Sequence, residues 1–469
     1  MPWDLLIRGG EVVAPNGVPR LDIAIEDGSI VELAPDLTGQ SRGAIDASGL
    51  HVFPGLIDPH VHFNEPGRTD WEGFETGSAA LAAGGGTCFF DMPLNSSPPV
   101  LDGATFDAKC AAAERNSLTD FALWGGLTPD NLDKLEELAA RGVVGFKAFM
   151  SDSGISDFPV ADDYTLYKGM RLAAKLGLVV AVHAENDSVT SGLAAEAAKQ
   201  GRSGIRDYLA SRPAFAECEA IGRAALLAHA TQCNLHVVHV STVNGARTAK
   251  FGLDDARWGL GDDEPDYTIT CETCPHYLLL SDKDVESLGA NAKCAPPLRS
   301  SHEAELLTRA LFRDDEIDFL ASDHSPSPAS MKQGNDVFRI WGGIAGVQST
   351  LSSALTLHPR LPIQKVGDLT SSGAAARFHL PNKGKISVGY DADLAFVDLA
   401  ATYTLTRDML LDRHKLSPYV GRTFRGLVRR TIVRGHTVFQ DGRITAGNFR
   451  GRLIKPTPRI ATERKPTDA

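Results

Sequence analysis

Six side chains that can ligate a metal ion lie in or directly after short apolar runs of the sequence. They are His60, His62, Lys147, His183, His239 and Asp323. Side chains two residues apart on a strand point to the same side, so His60 and His62 can grip one metal together. Imidazole nitrogen suits zinc and other borderline divalent ions, and four histidines with one aspartate supply enough ligands for two metals.

The sixth residue, Lys147, stands among apolar neighbours that include Val144, Phe146 and Phe149. An ammonium group is costly to bury in such surroundings, so a neutral amine is expected. A neutral lysine amine can add carbon dioxide to become an anionic carbamate, whose two oxygens can bridge two metals. The alternative is a surface lysine whose aliphatic stem lies along apolar residues, and the apolar neighbours on both sides argue against it.

Each of these residues also has an ordinary structural interpretation. A single histidine on a strand is more often a packed or surface residue than a metal ligand. Asp323 could be the N-cap of a following helix, although Ser325-Pro326 would serve a helix start equally well. Five matching positions, each at the predicted end of a strand, make coincidence a poor explanation, and a metal centre is predicted.

Eight apolar runs, alternating with Ala- and Leu-rich helical stretches, supply the elements that must position these side chains. Strands that alternate with helices imply a parallel sheet. Eight such units imply an α/β protein built on a (β/α)8 barrel, whose active site lies at the carboxyl ends of the strands. The runs are 56–57, 87–90, 121–124, 143–149, 178–182, 235–240, 267–271 and 317–321.

Both ends of the chain read as short strands separated by turns such as Asp27-Gly28. We expect residues 1–53 and 384–453 to form one composite β-sandwich domain beside the barrel, which spans 54–383. The segment 454–469 contains several prolines and is expected to be an extended tail.

The chain has 469 residues, with 47 Lys and Arg against 59 Asp and Glu, which gives a formal net charge of −12. This balance argues against nucleic-acid binding, which needs a basic surface. No apolar run approaches the roughly 20 residues that span a bilayer, and the chain opens without a signal-peptide pattern. Seven cysteines are too sparse and too odd in number for a disulfide framework, so a reduced, cytoplasmic protein is expected.

Two other motifs favour structural over catalytic interpretations. Cys271-x-x-Cys274 has no second pair at zinc-finger spacing, so packing is favoured over a redox or zinc role. Gly84-Gly85-Gly86 lacks the spacing of a dinucleotide fingerprint and is expected to end a helix over 78–83. The sequence has no nucleophile elbow of the serine-hydrolase type.

Several motifs together resemble the amidohydrolase superfamily, and within it the cyclic amidohydrolases. They are 54–62 (PGLIDPHVH), 145–147 (GFK), 272–277 (ETCPHY), 293–299 (KCAPPLR) and 322–326 (SDHSP). The resemblance runs from about residue 4 to residue 445 and includes the β-sandwich that this family builds from both chain ends. It implies a metal-dependent hydrolase of cyclic amides.

The resemblance further implies a binuclear metal centre. His60, His62, carboxylated Lys147 and Asp323 would hold the more buried metal, and Lys147, His183 and His239 the other. A hydroxide bridging the metals would attack the ring amide, while Asp323 takes its proton and passes it to the departing nitrogen. The implied cofactors are two divalent ions, with zinc first and iron, cobalt, manganese or nickel as alternatives, and carbon dioxide as the carbamate on Lys147.

Further stretches are similar to the branch of this family that opens the hydantoin ring of allantoin to give allantoate. They are 65–77, 91–96, 341–344 and 415–423. This substrate is small and polar, so backbone groups after strands seven and eight and one side-chain amide are expected to bind it. The candidates are Asn95, Ala295, Gly343 and Ala345.

Three alternatives stay open. A dihydropyrimidinase or hydantoinase would open a different cyclic amide. Dihydroorotases usually carry an arginine two residues after the second histidine; Asn64 stands there, which removes a clamp for a substrate carboxylate, although Arg68 is near enough to substitute. A non-catalytic scaffolding relative would have lost ligands, whereas all six positions are filled here. The resemblance also implies a homotetramer with a small-molecule substrate and no nucleic-acid or membrane partner.

Overall fold

The computed structural model describes residues 2–251, 267–313 and 316–457 of the chain. Five strands precede the barrel. They are β1 (Trp3–Val12), β2 (Arg20–Glu26), β3 (Ser29–Ala34), β4 (Ser41–Asp46) and β5 (His51–Pro54). β1 pairs antiparallel with β2 and parallel with β4 and β5. The predicted turn at Asp27-Gly28 joins β2 to β3, where Glu26 pairs with Ser29.

Parallel strands in the middle of the chain form the barrel. They are β6 (Leu56–Val61), β7 (Gly86–Asp91), β8 (Asp120–Leu123), β9 (Gly125–Gly126), β10 (Gly145–Phe149), β11 (Val179–His183), β12 (Asn234–Val237), β13 (Ile269–Thr273) and β14 (Phe319–Leu320). β6 to β8 pair in order, and β9 to β14 do the same. Every residue of β6 and β11 is buried, as expected for strands covered on both faces.

Two contacts join these sheets into one closed barrel. β8 and β9 belong to one strand position, since only Trp124 separates them, and Val144 N–H donates to Leu123 O over 3.0 Å. On the other side, His62 N–H donates to His324 O over 2.8 Å, which links the end of β6 to the segment after β14. The described strands therefore occupy eight positions, and the predicted (β/α)8 barrel is confirmed.

Helices follow most barrel strands. They are α1 (Phe74–Ala83), α2 (Gly103–Asn116), α3 (Leu135–Arg141), α4 (Asp163–Lys175), α5 (Asp187–Lys199), α6 (Ile205–Ala210), α7 (Ala214–Thr231), α8 (Val243–Phe251), α9 (Pro275–Leu279), α10 (Asp282–Leu288), α11 (Ser301–Ala310), α12 (Thr350–Thr356), α13 (Ile363–Gly367) and α14 (Gly373–Arg377). In α7, Ala220, Ala224 and Ala228 recur every four residues and are buried, so one small-residue face packs inward. Gly84 ends α1, as predicted.

The last strands return to the sheet of the first ones. They are β15 (Leu394–Thr404), β16 (Thr423–Val433), β17 (His436–Gln440) and β18 (Arg443–Ile444). β15 pairs antiparallel with β5, with Leu394 opposite Pro54, so both chain ends share one nine-stranded sheet. The predicted association of the two ends is confirmed, and we keep 1–53 with 384–453 as the proposed limits of that domain.

The start of the predicted tail runs along the barrel. Ile454 is buried, and its N–H donates to Phe121 O over 2.7 Å. Thr457 N–H donates to His379 O over 3.0 Å. The rest of the tail, 458–469, lies outside the described residues. Across the described part of the chain, every helix is too short or too polar to cross a bilayer.

Aromatic rings fill the barrel interior. Phe378 packs edge-on against Phe90 and Trp124, with ring centroids 5.0 Å and 5.3 Å apart, and it also contacts Phe319. All four rings are buried. The interior is therefore a packed core rather than a channel, and it supports the polar side chains at the carboxyl ends of the strands.

Candidate metal centre

Five barrel strands bring the six predicted ligands together, and all six side chains are buried. His60 lies on β6 with His62 just beyond it, Lys147 lies on β10, His183 ends β11, His239 follows β12 and Asp323 follows β14. Because carboxyl ends of parallel strands meet at one end of a barrel, the ligands converge although the chain separates them widely.

His60, His62 and Asp323 form one tight group. The Nε2 atoms of His60 and His62 lie 3.2 Å and 3.5 Å from Asp323 Oδ1, and the ligand atoms of all three lie within 4.8 Å of one another. Burial raises the pKa of Asp323, but the imidazoles of His60 and His62 outweigh it and hold that pKa well below its usual range. An ionised carboxylate beside two imidazole nitrogens is able to ligate a metal ion.

His183 and His239 form a second group beside the first. His183 Nδ1 lies 3.0 Å from His239 Nε2, and the rings of His60 and His239 are 5.4 Å apart. Burial lowers the pKa of His183 and brings that of His239 well below its usual value. Both rings are therefore neutral near pH 7 and offer lone pairs to a cation.

Lys147 is fully buried next to both groups, so the surface alternative is wrong. Among the described residues its Nζ has no hydrogen-bond partner, and it lies 4.4 Å from the ring centroid of Phe149. Desolvation lowers the pKa of Lys147 to about 7, although the negative charge of Asp323 acts to raise it. A buried amine that is half neutral near physiological pH can act as a nucleophile toward carbon dioxide.

Two of the candidate ligands have a left-handed backbone. φ is 40° at His239 and 45° at Asp323, and nearby Asn64 and Asn95 have values of 65° and 70°. This conformation costs a non-glycine residue of order 1–3 kcal/mol and tends to cluster at functional sites. Its concentration at the strand ends supports a role in aiming these side chains.

Two buried glutamates contact the ligand histidines and were not predicted. His60 Nδ1–H donates to Glu272 Oε1 over 2.6 Å, and His183 Nε2–H donates to Glu185 Oε2 over 2.9 Å. Burial raises the pKa of each carboxyl group, but the Arg212 guanidinium beside Glu185 and the His60 imidazole beside Glu272 lower it to about 2. Glu185 stands two residues after His183, so its place on the same side of the strand could have been predicted from the spacing. No sequence pattern pairs Glu272 with His60.

Asn95, one predicted substrate contact, is buried at the same end of the barrel. Its Nδ2 lies 3.5 Å from Ser325 Oγ, and its backbone oxygen accepts from Arg68 over 3.0 Å. The Arg68 guanidinium also lies 5.2 Å from the ring centroid of Trp71. Arg68 is thus engaged within the protein, while both amide atoms of buried Asn64 have no hydrogen-bond partner in the described structure.

The backbone groups predicted to bind substrate differ in whether they already form hydrogen bonds within the protein. Gly343 N–H donates to Lys293 O over 2.7 Å, and Gly343 O accepts from Lys332 Nζ over 2.6 Å. Ala345 is buried and Ala295 is half-buried. With its N–H already used, Gly343 can offer a substrate only the second lone pair of its carbonyl. The four substrate contacts stay predictions.

A second cluster of carboxylates in the described residues has atoms close enough to ligate a metal, but the cluster surrounds a lysine ammonium. Asp120, Asp391 and Asp393 converge within 4.8 Å of one another. Lys383 Nζ lies 2.6 Å, 2.8 Å and 2.6 Å from these three carboxylates. The ammonium lies in hydrogen-bonding distance of all three carboxylates, so the group is an ion-pair network that ties the terminal sheet to the barrel.

The Cys271-x-x-Cys274 pair shows no sign of redox chemistry. All seven cysteines are free, and Cys271 and Cys274 are buried. Burial raises the pKa of both thiols. A protonated thiol is a weak nucleophile and a poor metal ligand, which supports the packing interpretation.

The model of the amidohydrolase family matches residues 51–438. The chain belongs to the amidohydrolase family. It is 52% identical over 461 residues to an allantoinase of Rubrobacter xylanophilus, covering 97% of this chain and 98% of that protein. It is 50% identical over 459 residues to an allantoinase of Deinococcus radiodurans, with 97% and 99% covered. Within the family, this amidohydrolase groups with the allantoinases, as the sequence motifs predicted.

Solved structures show the same architecture. An L-hydantoinase (dihydropyrimidinase) from Arthrobacter aurescens matches with a TM-score of 0.90 and 31% identity, covering 97% of this chain and 100% of the other. A barrel with an additional β-rich domain is therefore confirmed. This amidohydrolase is a hydrolase of cyclic amides, and a non-catalytic scaffolding role is not favoured.

Proposed function

We propose that this amidohydrolase opens the ring amide of allantoin to give allantoate, using two divalent metal ions. The observation that carries the proposal is the convergence of six buried, metal-capable side chains in a chain that is 52% identical to an allantoinase. Hydantoinase, dihydropyrimidinase and dihydroorotase activities have weaker support. Likeness to the solved L-hydantoinase is lower, at 31% identity, and Asn64 replaces the arginine of a carboxylate clamp.

The donor chemistry fits a binuclear centre. The ligands proposed for the first ion are His60, His62, Lys147 and Asp323, and those for the second are Lys147, His183 and His239. Lys147 Nζ is buried and has no hydrogen-bond partner in the part of the chain that the structure describes, and such a group normally finds a partner in the functional state. Zinc suits this nitrogen and carboxylate set first, and iron, cobalt, manganese and nickel also fit.

Lys147 is proposed to carry a carbamate. Its neutral amine nitrogen forms a bond to the carbon of carbon dioxide and releases one proton to solvent. The product has one negative charge and two oxygens, which would be available as metal ligands. A pKa lowered to about 7 supports this step, because the reactive neutral amine is abundant at physiological pH.

Asp323 is proposed to move the proton. The bound ions would polarise the ring carbonyl and bring the pKa of a water to around 7. The Asp323 carboxylate accepts the proton that the attacking water loses and delivers it to the ring nitrogen as the amide C–N bond breaks. Its lowered pKa keeps it ionised before the reaction, and the contacts with His60 and His62 hold it over the site.

Substrate binding is proposed to use groups around the mouth of the barrel. The Asn95 amide and the backbones of Ala295, Gly343 and Ala345 would bind the polar ring and its ureido group.

From the family resemblance we also propose a homotetramer. A cytoplasmic location is proposed as well, supported by seven free cysteines.

A substrate panel tests the proposal. Protein reconstituted with zinc in bicarbonate buffer should hydrolyse allantoin with a higher kcat/KM than hydantoin, dihydrouracil or dihydroorotate. Preference for one of the other three would replace the substrate assignment. Failure to hydrolyse any of them with two ions bound would revive the non-catalytic alternative.

A further inference from the structure

Two buried glutamates contact ligand histidines through opposite ring nitrogens. His60 donates from Nδ1 to Glu272 over 2.6 Å, whereas His183 donates from Nε2 to Glu185 over 2.9 Å. Both carboxylates are fully shielded from solvent. A neutral imidazole has one N–H and one lone pair, so a carboxylate that takes the N–H leaves the lone pair on the other nitrogen.

The remaining nitrogens are those that face the other ligands. His60 Nε2 lies 3.2 Å from Asp323 Oδ1, and His183 Nδ1 lies 3.0 Å from His239 Nε2. The opposite tautomer would turn a proton rather than a lone pair toward the cation site. The two carboxylates therefore decide whether each imidazole can ligate.

We propose that Glu272 and Glu185 are positioning residues, each of which fixes the ligating nitrogen of one histidine and thereby the retention of one metal ion. Glu272 serves the ion held with His60, and Glu185 serves the ion held with His183. The inference rests on the binuclear centre of the proposed function and is independent of the substrate.

Glu272 is held on its far side by a second imidazole. His236 Nε2 lies 3.1 Å from Glu272 Oε2, and His236 Nδ1 lies 3.0 Å from Thr270 Oγ1. The His239 backbone N–H also donates to Glu272 Oε1 over 3.3 Å. Both carboxylate oxygens must accept to satisfy these donors. A glutamine would turn an NH2 group toward one of the two imidazoles and force that ring to reverse its tautomer.

Glu185 is held by a cation instead. The Arg212 guanidinium contacts the same Oε2 atom that accepts from His183. The Arg212 backbone oxygen in turn accepts from Arg299, which fixes this stretch of chain. A neutral glutamine at position 185 would accept the hydrogen bond from His183 Nε2–H more weakly than the carboxylate does. It would also leave the Arg212 guanidinium without a counter-charge.

Glu217 provides a matched control. It is a buried carboxylate at the same end of the barrel, and it accepts from Ser241 N–H and Ser241 Oγ, each over 2.7 Å, and from Thr242 Oγ1 over 3.1 Å. Its described contacts go to these residues and to Arg299, whose guanidinium lies 3.5 Å away, rather than to a ligand imidazole. Glu217→Gln therefore removes an equal charge without acting on a ligand tautomer.

Metal retention measures the effect without substrate. Zinc-loaded wild type, Glu272→Gln, Glu185→Gln and Glu217→Gln are dialysed against graded chelator, and zinc per chain is counted by atomic emission. Wild type and Glu217→Gln should keep two ions. Each of the other two variants should lose one ion at about 10–100-fold lower chelator strength. In cobalt-loaded protein, the two variants should lose different parts of the visible absorption spectrum.

Circular dichroism first establishes that each variant is folded. Where a glutamine variant is unfolded, His236→Gln replaces Glu272→Gln and Arg212→Gln replaces Glu185→Gln, with a smaller loss in the same direction expected. Equal zinc retention by all folded variants would overturn the proposal, as would a wild type that binds no metal. If wild type keeps two ions and the variants behave as expected, failure to hydrolyse allantoin would refute only the substrate assignment.

Discussion

Replacing Lys147 with methionine should stabilise the metal-free protein while abolishing its function. Lys147 is fully buried, and desolvation lowers its pKa from 10.5 to about 7. At about 1.4 kcal/mol per pH unit, burying this amine costs about 5 kcal/mol well below pH 7 and about 4 kcal/mol at pH 7, relative to the unfolded chain. Methionine has a similar length without a titratable group, so Lys147→Met should recover most of that free energy.

The gain should depend on pH in a defined direction. The folded pKa lies below the unfolded one, so the cost is fully present below pH 7 and fades as the pH rises toward 10.5. At pH 9 about 2 kcal/mol of it should remain. Thermal unfolding in metal-free, carbon dioxide-free buffer should therefore show a higher Tm for Lys147→Met, by several degrees at pH 7 and by less at pH 9.

A matched control separates this effect from general surface chemistry. Lys168 is exposed on α4, so Lys168→Met removes a solvated ammonium and should give a Tm difference that is nearly the same at both pH values. A Lys147→Met protein that is less stable than wild type at pH 7, or whose Tm difference does not change with pH, would refute the reasoning that a neutral amine is buried at the centre of the site.

Three further predictions concern catalysis directly. Lys147→Ala should lose bound metal and activity, with partial recovery on adding a short carboxylic acid; a fully metallated, active variant would contradict the bridging role. Asp323→Asn should lower kcat by about 10²–10⁴-fold, with zinc counted in the same samples because Asp323 is also a proposed ligand. Asn95→Ala should raise KM or lower kcat for allantoin, and unchanged kinetics would remove Asn95 from the substrate site.

The convergence of the six proposed ligands could be predicted because each belongs to a local pattern. An apolar run that ends in a polar side chain is typical of a buried parallel strand at the active end of a barrel, and His183 at the end of β11 follows this pattern. The supporting contacts could not be predicted in this way. Glu272 meets His60 across 212 residues, and no periodicity in the sequence encodes a contact over such a distance.

The ends of some helices and strands could not be predicted either, because they depend on contacts that the local sequence does not encode. The helix predicted over 78–83 begins four residues earlier, at Phe74, after Gly73 with φ of 98° and no side-chain cap. Without a capping residue the sequence contains no start signal. The third barrel strand is divided into β8 and β9 around Trp124, whose indole N–H donates to Pro59 O over 3.0 Å, and this side-chain contact cannot be read from an apolar run.

Closure of the barrel and the geometry of the candidate metal centre depend on the same junction between the first and last strands. The Asp58 carboxylate accepts from the backbone N–H of His60 on its own strand and of Ser322 beside Asp323, 264 residues further along the chain. These bonds join the first and last barrel strands, and the same junction places His60 and His62 beside Asp323. A ligand that binds only the closed barrel stabilises it by mass action. Bound metal should therefore stabilise the whole barrel, because the site contains residues from both sides of the closure.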